Sequence, residues 1–416
     1  MPVRDWDSAL PMGPYRVLDL TEGGMNWCGK VLADLGADVI KIEAPKGSAT
    51  RRLGPFYDGQ EDPERSLYWY AYCLNKRGIT LNLDSHDGRR IFKDLAAGAE
   101  FVLESFRPGY MSDLGIGYET LSQINPGLVM TSITPFGQTG PYSQYTATDI
   151  VAWSMGGMQY VTGDDDRPPV RIGFPQAELQ AGAQAAAGSM VAFWHRQRTG
   201  EGQHVDVSMQ VTVVWTLMNA TSFPQLHGTN VERAGAYRKR GSVDVRAVYA
   251  CRDGFVSVLL GSASLPPLIR WMKEDGFARD LTETPEWLRT DIDDIKRLDH
   301  TFKDFQEQVG AFFSTKSKAE LYERAISDRI LLAPCNDVAD IWEDPQLRAR
   351  DFWVDVYQPE VKKTVTTLGP FVKLSETPIA TRLPAPIKGE HNEEIYLAEM
   401  GLTRERLAEL GRLGIV

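Results

Sequence analysis

Two short apolar runs near the amino terminus, Tyr15–Leu20 and Asp38–Glu43, flank a segment whose apolar residues recur at helical spacing. Trp27, Cys28, Val31, Leu32 and Leu35 share one helix face, and Gly36 stops the helix. A strand, a glycine turn (Glu22–Gly24), a helix and a second strand make a βαβ unit, which points to an α/β sheet. The turn mimics a dinucleotide site, with Glu43 closing the second strand. However, EGGMNWCG lacks the G-x-G-x-x-G spacing that lets a pyrophosphate approach a helix N-terminus. The sequence therefore predicts a structural turn and no nicotinamide cofactor.

Three basic segments then fall near predicted strand ends. Ala44–Asp62 carries Lys46, Arg51 and Arg52; Asn75-Lys76-Arg77-Gly78 precedes a strand over Ile79–Leu83; Ser105-Phe106-Arg107-Pro108-Gly109 follows a strand over Phe101–Glu104. Loops at strand carboxyl ends line ligand sites in open α/β sheets. The chain as a whole is acidic: 45 basic against 56 acidic residues give a net charge of −11, which argues against a nucleic-acid partner. Basic loops on an acidic background point to a local anion pocket.

The strongest helix runs from Ala177 to Arg198, is rich in alanine, and places Glu178 in its first turn. An acid there is favoured by the helix dipole whatever its function. Residues 226–330 have a different texture, with a hairpin around Gly254, a phenylalanine stripe from Phe302 to Phe313 and a capping box at Ser317–Glu320. They predict a small α/β domain between a large domain over 1–225 and its C-terminal return over 331–416. The run Asp164-Asp165-Asp166 reads as a hydrated turn, and the six histidines form no ligand-spaced pair, so no metal site is expected. Four dispersed cysteines predict a reduced, cytoplasmic enzyme. No run reaches the roughly 18 apolar residues of a membrane span, and the acidic start predicts no signal peptide.

Several strings together resemble the class III CoA-transferases: VLADLGADVIKIEAPKGSATRR, LNKRGITLNLDSHDGR, LESFRPGYMSDLG, PFGQTGPY, TGEGQHVDVSM, APCNDVADIWEDPQLRARDFW and PIKGEHNEEI. This family includes formyl-CoA transferase, the carnitine and bile-acid-inducible CoA-transferases, and the 2-methylacyl-CoA racemases. The resemblance covers nearly the whole chain. It implies a Rossmann-like parallel sheet in a large domain built from both chain ends, a small α/β domain, and a dimer of interlocked rings. It implies a CoA thioester as substrate, with succinyl-CoA the expected donor, a carboxylic acid as acceptor, and no permanently bound cofactor. By position, it assigns CoA binding to Arg51, Arg52, Lys76, Ser105, Phe106, Arg107, Tyr110, Asp113 and Leu114. It places Gly24, Trp27 and Asp149 at the acyl pocket.

The family's nucleophile is an aspartate near the start of the long helix, and the residue here is Glu178. Glutamate has the same chemistry, but its extra methylene moves the carboxylate by roughly 1.5 Å. The helix N-terminus is expected to favour the ionised form and to hold a developing oxyanion. Glu22–Trp27 also departs from the family, which often has a polar residue and Gly-Pro there. The basic loop Arg238–Gly241 stands where formyl-CoA transferase has a glycine lid. Two other readings follow from these departures. One is a catalytically silent CoA-binding subunit paired with an aspartate-bearing paralogue. The other is a racemase, weakened because Thr148 stands at the racemase histidine before Asp149.

Overall fold

The computed structural model describes residues 10–240, 243–261, 263–281 and 299–416. Thr284–Pro285, where the sequence predicts the start of a helix within the 226–330 domain, lies outside them. Six strands form one parallel sheet: β1 (Arg16–Leu20), β2 (Asp38–Glu43), β3 (Lys76–Thr80), β4 (Phe101–Glu104), β5 (Val129–Thr134) and β6 (His204–Ser208). Between them run α1 (Asn26–Asp34), α2 (Leu67–Cys73), α3 (His86–Ala96), α4 (Tyr110–Asp113), α5 (Tyr118–Ile124), α6 (Asp149–Met155) and α7 (Gln176–Thr199).

Successive strand residues point to opposite faces of the sheet. Val17, Val39, Phe101 and Val129 pack on one side with Cys28 and Leu32 of α1 and Ala177, Ala181 and Ala185 of α7. Their neighbours Leu18, Ile40, Val102 and Met130 pack on the other side with Ile91, Phe92 and Leu95 of α3. Ile395, Tyr396 and Leu410, from the C-terminal end, complete that second core. The Tyr396 hydroxyl donates to the Thr80 carbonyl, and Arg77 binds Glu394 and Glu399. Both ends of the chain therefore build the large unit.

The strand order is β3-β2-β1-β4-β5-β6, so its direction reverses between β1 and β4. Chains leaving the carboxyl ends of those two strands diverge there and open a ligand crevice. The Glu22 N–H, just after β1, donates to the Ser105 hydroxyl, just after β4, at 2.9 Å.

By its contacts the chain divides into two compact units. One comprises Met1–Gln159, Arg171–Thr229 and Leu347–Val416; the other comprises Tyr160–Val170 and Asn230–Gln346. The second unit thus extends beyond the span of 226–330 read from sequence and takes in a short earlier segment. It holds an antiparallel three-stranded sheet and its own core around Tyr249, Trp271, Phe305 and Phe312. Of the basic loop expected at Arg238–Gly241, the first three residues belong to a strand, Tyr237–Arg240, paired antiparallel with Val243–Arg246. The capping box of Ser317 and Glu320 forms as the sequence predicts.

Among the buried charges of the large sheet, one cluster joins its first three strands. Asp19 of β1, Lys41 of β2 and Lys76 of β3 are all fully buried. The Lys76 ammonium is 2.7 Å from Asp19 and 2.9 Å from the Asn26 carbonyl. Lys41 lies 3.6 Å from Asp19 and donates to the Thr21 carbonyl. Burial alone would raise the Asp19 pKa, but the two ammonium groups and the Thr21 hydroxyl outweigh it and hold the carboxyl at about 2, below its ordinary 3.8. Asp19→Ala would leave two buried cations without their counter-charge. It is expected to cost about 3–5 kcal/mol, read from the urea midpoint. Because the folded value is the depressed one, this stabilisation is complete above about pH 4 and is lost as pH falls towards 2. A change below about 1 kcal/mol would show that the cluster does not hold the sheet together.

Candidate active site

Helix α7 is the strongest helix of the sequence reading, with each end one residue beyond the expected bound. Its small buried residues Ala177, Ala181 and Ala185 let it lie close on α1, β5 and β6. That packing brings its first turn against the turn that follows β1. Pro175 supplies no side-chain cap. The cap comes instead from α6: the Asp149 carboxylate accepts the Glu178 N–H at 3.0 Å. This is one of the donors a helix start leaves unpaired. At this N-terminus, where the sequence places a developing oxyanion, the Asp149 carboxylate is the group that caps the helix.

The Glu178 side chain reaches towards the β1 turn, where its Oε2 accepts the Gly24 N–H at 2.8 Å. Gly23 has φ +58°, in the left-handed region that favours glycine. A Cβ at Gly23 would stand 2.6 Å from Glu178 Oε2, and one at Gly24 would stand 2.9 Å from Glu178 Cβ. The two glycines leave the volume that the Glu178 side chain fills, and the turn and the glutamate are packed as one structural feature. Burial raises the Glu178 pKa above its ordinary 4.5; the Gly24 hydrogen bond lowers it and the nearby Asp149 charge raises it further. Such a carboxylate is more basic than usual and a better nucleophile once ionised.

An aromatic wall stands beside it. Trp27 and Tyr72 have ring centroids 6.3 Å apart, and Tyr72 and Tyr68 4.6 Å apart. Burial, then the charge of Glu178 among others, pushes both phenols above their ordinary value, so they stay protonated as donors. The Tyr68 hydroxyl is buried and has no hydrogen-bond partner among the described residues.

The residues assigned to CoA by position fall into two groups. Ser105, Phe106, Arg107, Tyr110, Asp113 and Leu114 lie together in the loop after β4 and in α4. The Phe106 and Tyr110 rings are 4.7 Å apart, and the exposed Arg107 pairs with Asp113 at 2.9 Å. Beneath this loop Glu104 accepts the Phe106 N–H at 2.6 Å. Burial, with some help from Asp206, pushes its carboxyl up to about 7 against the Ser132 and Phe106 donors. Arg52 is exposed in the loop after β2.

Lys76 and Arg51 behave differently. The strand β3 begins at Lys76, three residues earlier than the sequence suggests, so this lysine lies inside the sheet and is engaged by Asp19. Arg51 is 1% exposed; its guanidinium binds Glu43, Glu64 and the Pro386 carbonyl and stacks 3.8 Å over Trp69. Both of these cations, assigned to CoA phosphates by position, are engaged as internal ion-pair partners. A cavity of about 590 Å³ lies in the C-terminal stretch near Phe352, Val354 and Phe371, and none of the candidate residues lines it. Among the described residues no cluster of three or more His, Cys, Asp or Glu could hold a metal. Nor, among them, is any helix long and apolar enough to cross a membrane.

The pattern of CoA-transferase family III matches residues 14–392 of this chain. The chain belongs to that family. This CoA-transferase is 35% identical over 413 residues to the succinyl-CoA:(R)-benzylsuccinate CoA-transferase subunit BbsE of Thauera aromatica, with 97% of each chain covered. It is 32% identical over 411 residues to the succinyl-CoA–L-malate CoA-transferase beta subunit of Chloroflexus aurantiacus, again over 97% of each. In structure it is similar to a CAIB/BAIF family protein from Brucella suis, with a TM-score of 0.81 and 27% identity over 94% of this chain and 100% of that one. The family read from the sequence strings is the family found. The reaction is transfer of CoA from an acyl-CoA to a carboxylic acid.

From the sequence, no individual role falls to Glu22, Asn26, Thr50, Tyr68 or Tyr72. Thr50 lies in the loop singled out for its charges, beside Arg51, and its hydroxyl gave no signal of its own. Tyr68 and Tyr72 sit one helical turn apart on α2, a spacing that also fits plain core packing.

Proposed function

We propose that this chain transfers CoA through Glu178, and that the acid it serves is bulky or aromatic. The carrying observation is the Gly24 N–H on the Glu178 carboxylate, which aims the group and leaves the glycine turn as its floor. One carboxylate oxygen attacks the donor's thioester carbon; the carbon–sulfur bond breaks, giving a mixed anhydride and CoA thiolate. The thiolate attacks the glutamyl carbonyl carbon, releasing the donor's acid and leaving a glutamyl-CoA thioester. The acceptor carboxylate then attacks that thioester, forming a second anhydride and thiolate. The thiolate takes the acceptor's acyl group and Glu178 is regenerated. Carbonyl oxygen charge develops at each step, and the Gly24 N–H is the donor in place to meet it.

Trp27, Tyr68 and Tyr72 support an aromatic or bulky acyl group, and the Tyr68 hydroxyl suits a second polar group on it. The benzylsuccinate relative agrees with this reading, and succinyl-CoA is the donor we infer from both relatives' names. Arg52 and Arg107 are the phosphate contacts we infer, with Phe106 and Tyr110 packing on adenine. Replacing both arginines by alanine is expected to weaken CoA binding about tenfold at low salt and less at high salt, by calorimetry. Equal affinity would move the phosphate site elsewhere.

A second reading concerns assembly. Val191 and Trp194 on α7, and Val211, Trp215 and Met218 beyond β6, are large apolar side chains left exposed. We infer that a partner subunit covers them, as an interlocked dimer would. Both relatives are named as subunits, which favours a paralogous partner over a second copy. The four free cysteines suit a reducing, cytoplasmic setting. The test is a transfer assay with succinyl-CoA and a panel of dicarboxylic acids, using the chain alone and co-expressed with an aspartate-bearing paralogue. Transfer by the chain alone, fastest with aryl-substituted acids, supports the proposal. Transfer only by the pair makes this chain the silent subunit.

A further inference from the structure

The peptide between Gly23 and Gly24 carries both the N–H that meets Glu178 and a carbonyl. Its orientation decides whether that N–H points at the carboxylate. The Gly23 carbonyl accepts from the Asn26 side-chain amide at 3.0 Å, which fixes one end of the peptide. The Gly23 N–H donates to the Thr50 hydroxyl at 2.9 Å, which fixes the residue before it. The same Asn26 amide donates to the same Thr50 hydroxyl at 3.1 Å. A threonine hydroxyl has one proton and two acceptor positions. With both acceptor positions taken, its proton goes to Glu22 Oε2, 2.6 Å away. That oxygen also accepts the Thr50 N–H at 3.1 Å and the Ser48 hydroxyl. The Glu22 backbone is in turn held by Ser105 from across the crevice. Asn26 is fully buried and Thr50 is 1% exposed, so water does not compete for these bonds.

We propose that Glu22, Thr50 and Asn26 are positioning residues, a relay that aims the Gly24 N–H at the Glu178 carboxylate. Glu22 sets the direction of the Thr50 proton, and the Thr50 lone pairs set the Gly23 turn. Asn26 sets the peptide plane. None of the three touches Glu178 in this network; each acts through the Gly23–Gly24 turn. The inference rests on Glu178 being the nucleophile. It predicts a defect in the chemical step and none in CoA binding, because the relay ends on the nucleophile.

Thr50→Val keeps the side chain's shape and removes the hydroxyl; Thr50→Ser keeps the hydroxyl. The valine variant is expected to lose about 10- to 100-fold in kcat while the KM for acyl-CoA stays within about threefold. The serine variant is expected to recover kcat to within about threefold of the parent. Thermal melting of both variants is measured alongside. A valine variant with kcat within about twofold of the parent overturns the relay. So does equal loss in the valine and serine variants with a lowered melting temperature, which marks a merely structural role. Glu178→Gln is assayed in parallel. If that variant still transfers CoA, the nucleophile assignment itself fails; if it is inactive while the valine variant is normal, only the relay fails.

Discussion

Glu178→Gln is expected to reduce CoA transfer to background, a loss on the order of 10⁴-fold or more. The substitution is nearly isosteric, and the amide oxygen can still accept the Gly24 N–H, so the glycine turn and helix α7 keep their packing. What is lost is the negative oxygen, and a neutral amide does not attack a thioester. Glu178→Asp restores the family's usual residue but shortens the side chain by one methylene, roughly 1.5 Å. In a turn built around the longer acid, this withdraws the carboxylate from Gly24 and is expected to cost about a hundredfold in kcat. Steady-state kinetics with a single donor and acceptor read both losses. A chain that served only as a silent partner would show neither: the complex with its paralogue would keep its activity in both variants.

The second large effect is expected at Gly23. An alanine methyl there would stand 2.6 Å from Glu178 Oε2, on a backbone with φ +58° that alanine rarely adopts. The carboxylate must move, and a shift near 1 Å is expected to cut kcat about a hundredfold. CoA affinity should be unchanged, since Gly23 lies beside Glu178, the nucleophile we propose. If the turn and the glutamate are one feature, the double variant Gly23→Ala/Glu178→Asp should regain about tenfold over Gly23→Ala alone, because the shorter acid leaves room for the methyl. Losses that simply add would show that the two positions are not coupled.

The residues that announced the fold were those whose periodicity follows from burial. Val17 and Leu18, or Phe101 and Val102, alternate across a sheet covered on both faces, and the alanines of α7 mark a helix packed close. The family strings then located Glu178. What they did not convey is which charges face inward. Lys76 and Arg51 read as loop cations because a sequence does not show that Asp19, Glu43 and Glu64 are folded against them. The Asp149 cap joins residues 29 positions apart, and the Thr50 relay joins residues 24 to 28 positions apart. Such contacts arise from the βαβ crossover and the packing of α6 on α7, and no local pattern encodes them. The glycine pair at 23 and 24 was visible as a departure, but its reason lies in the volume of a side chain some 150 residues later.

As the nucleophile we propose, Glu178 becomes covalently charged with CoA during transfer. The direct measurement is to incubate the protein with an acyl-CoA donor and no acceptor, trap with borohydride or hydroxylamine, and locate the modification by peptide mass spectrometry. Modification of the peptide containing Glu178 is expected, dependent on the donor and absent from Glu178→Gln. No modification with any donor, or one found only on an aspartate of a co-purified paralogue, would contradict it.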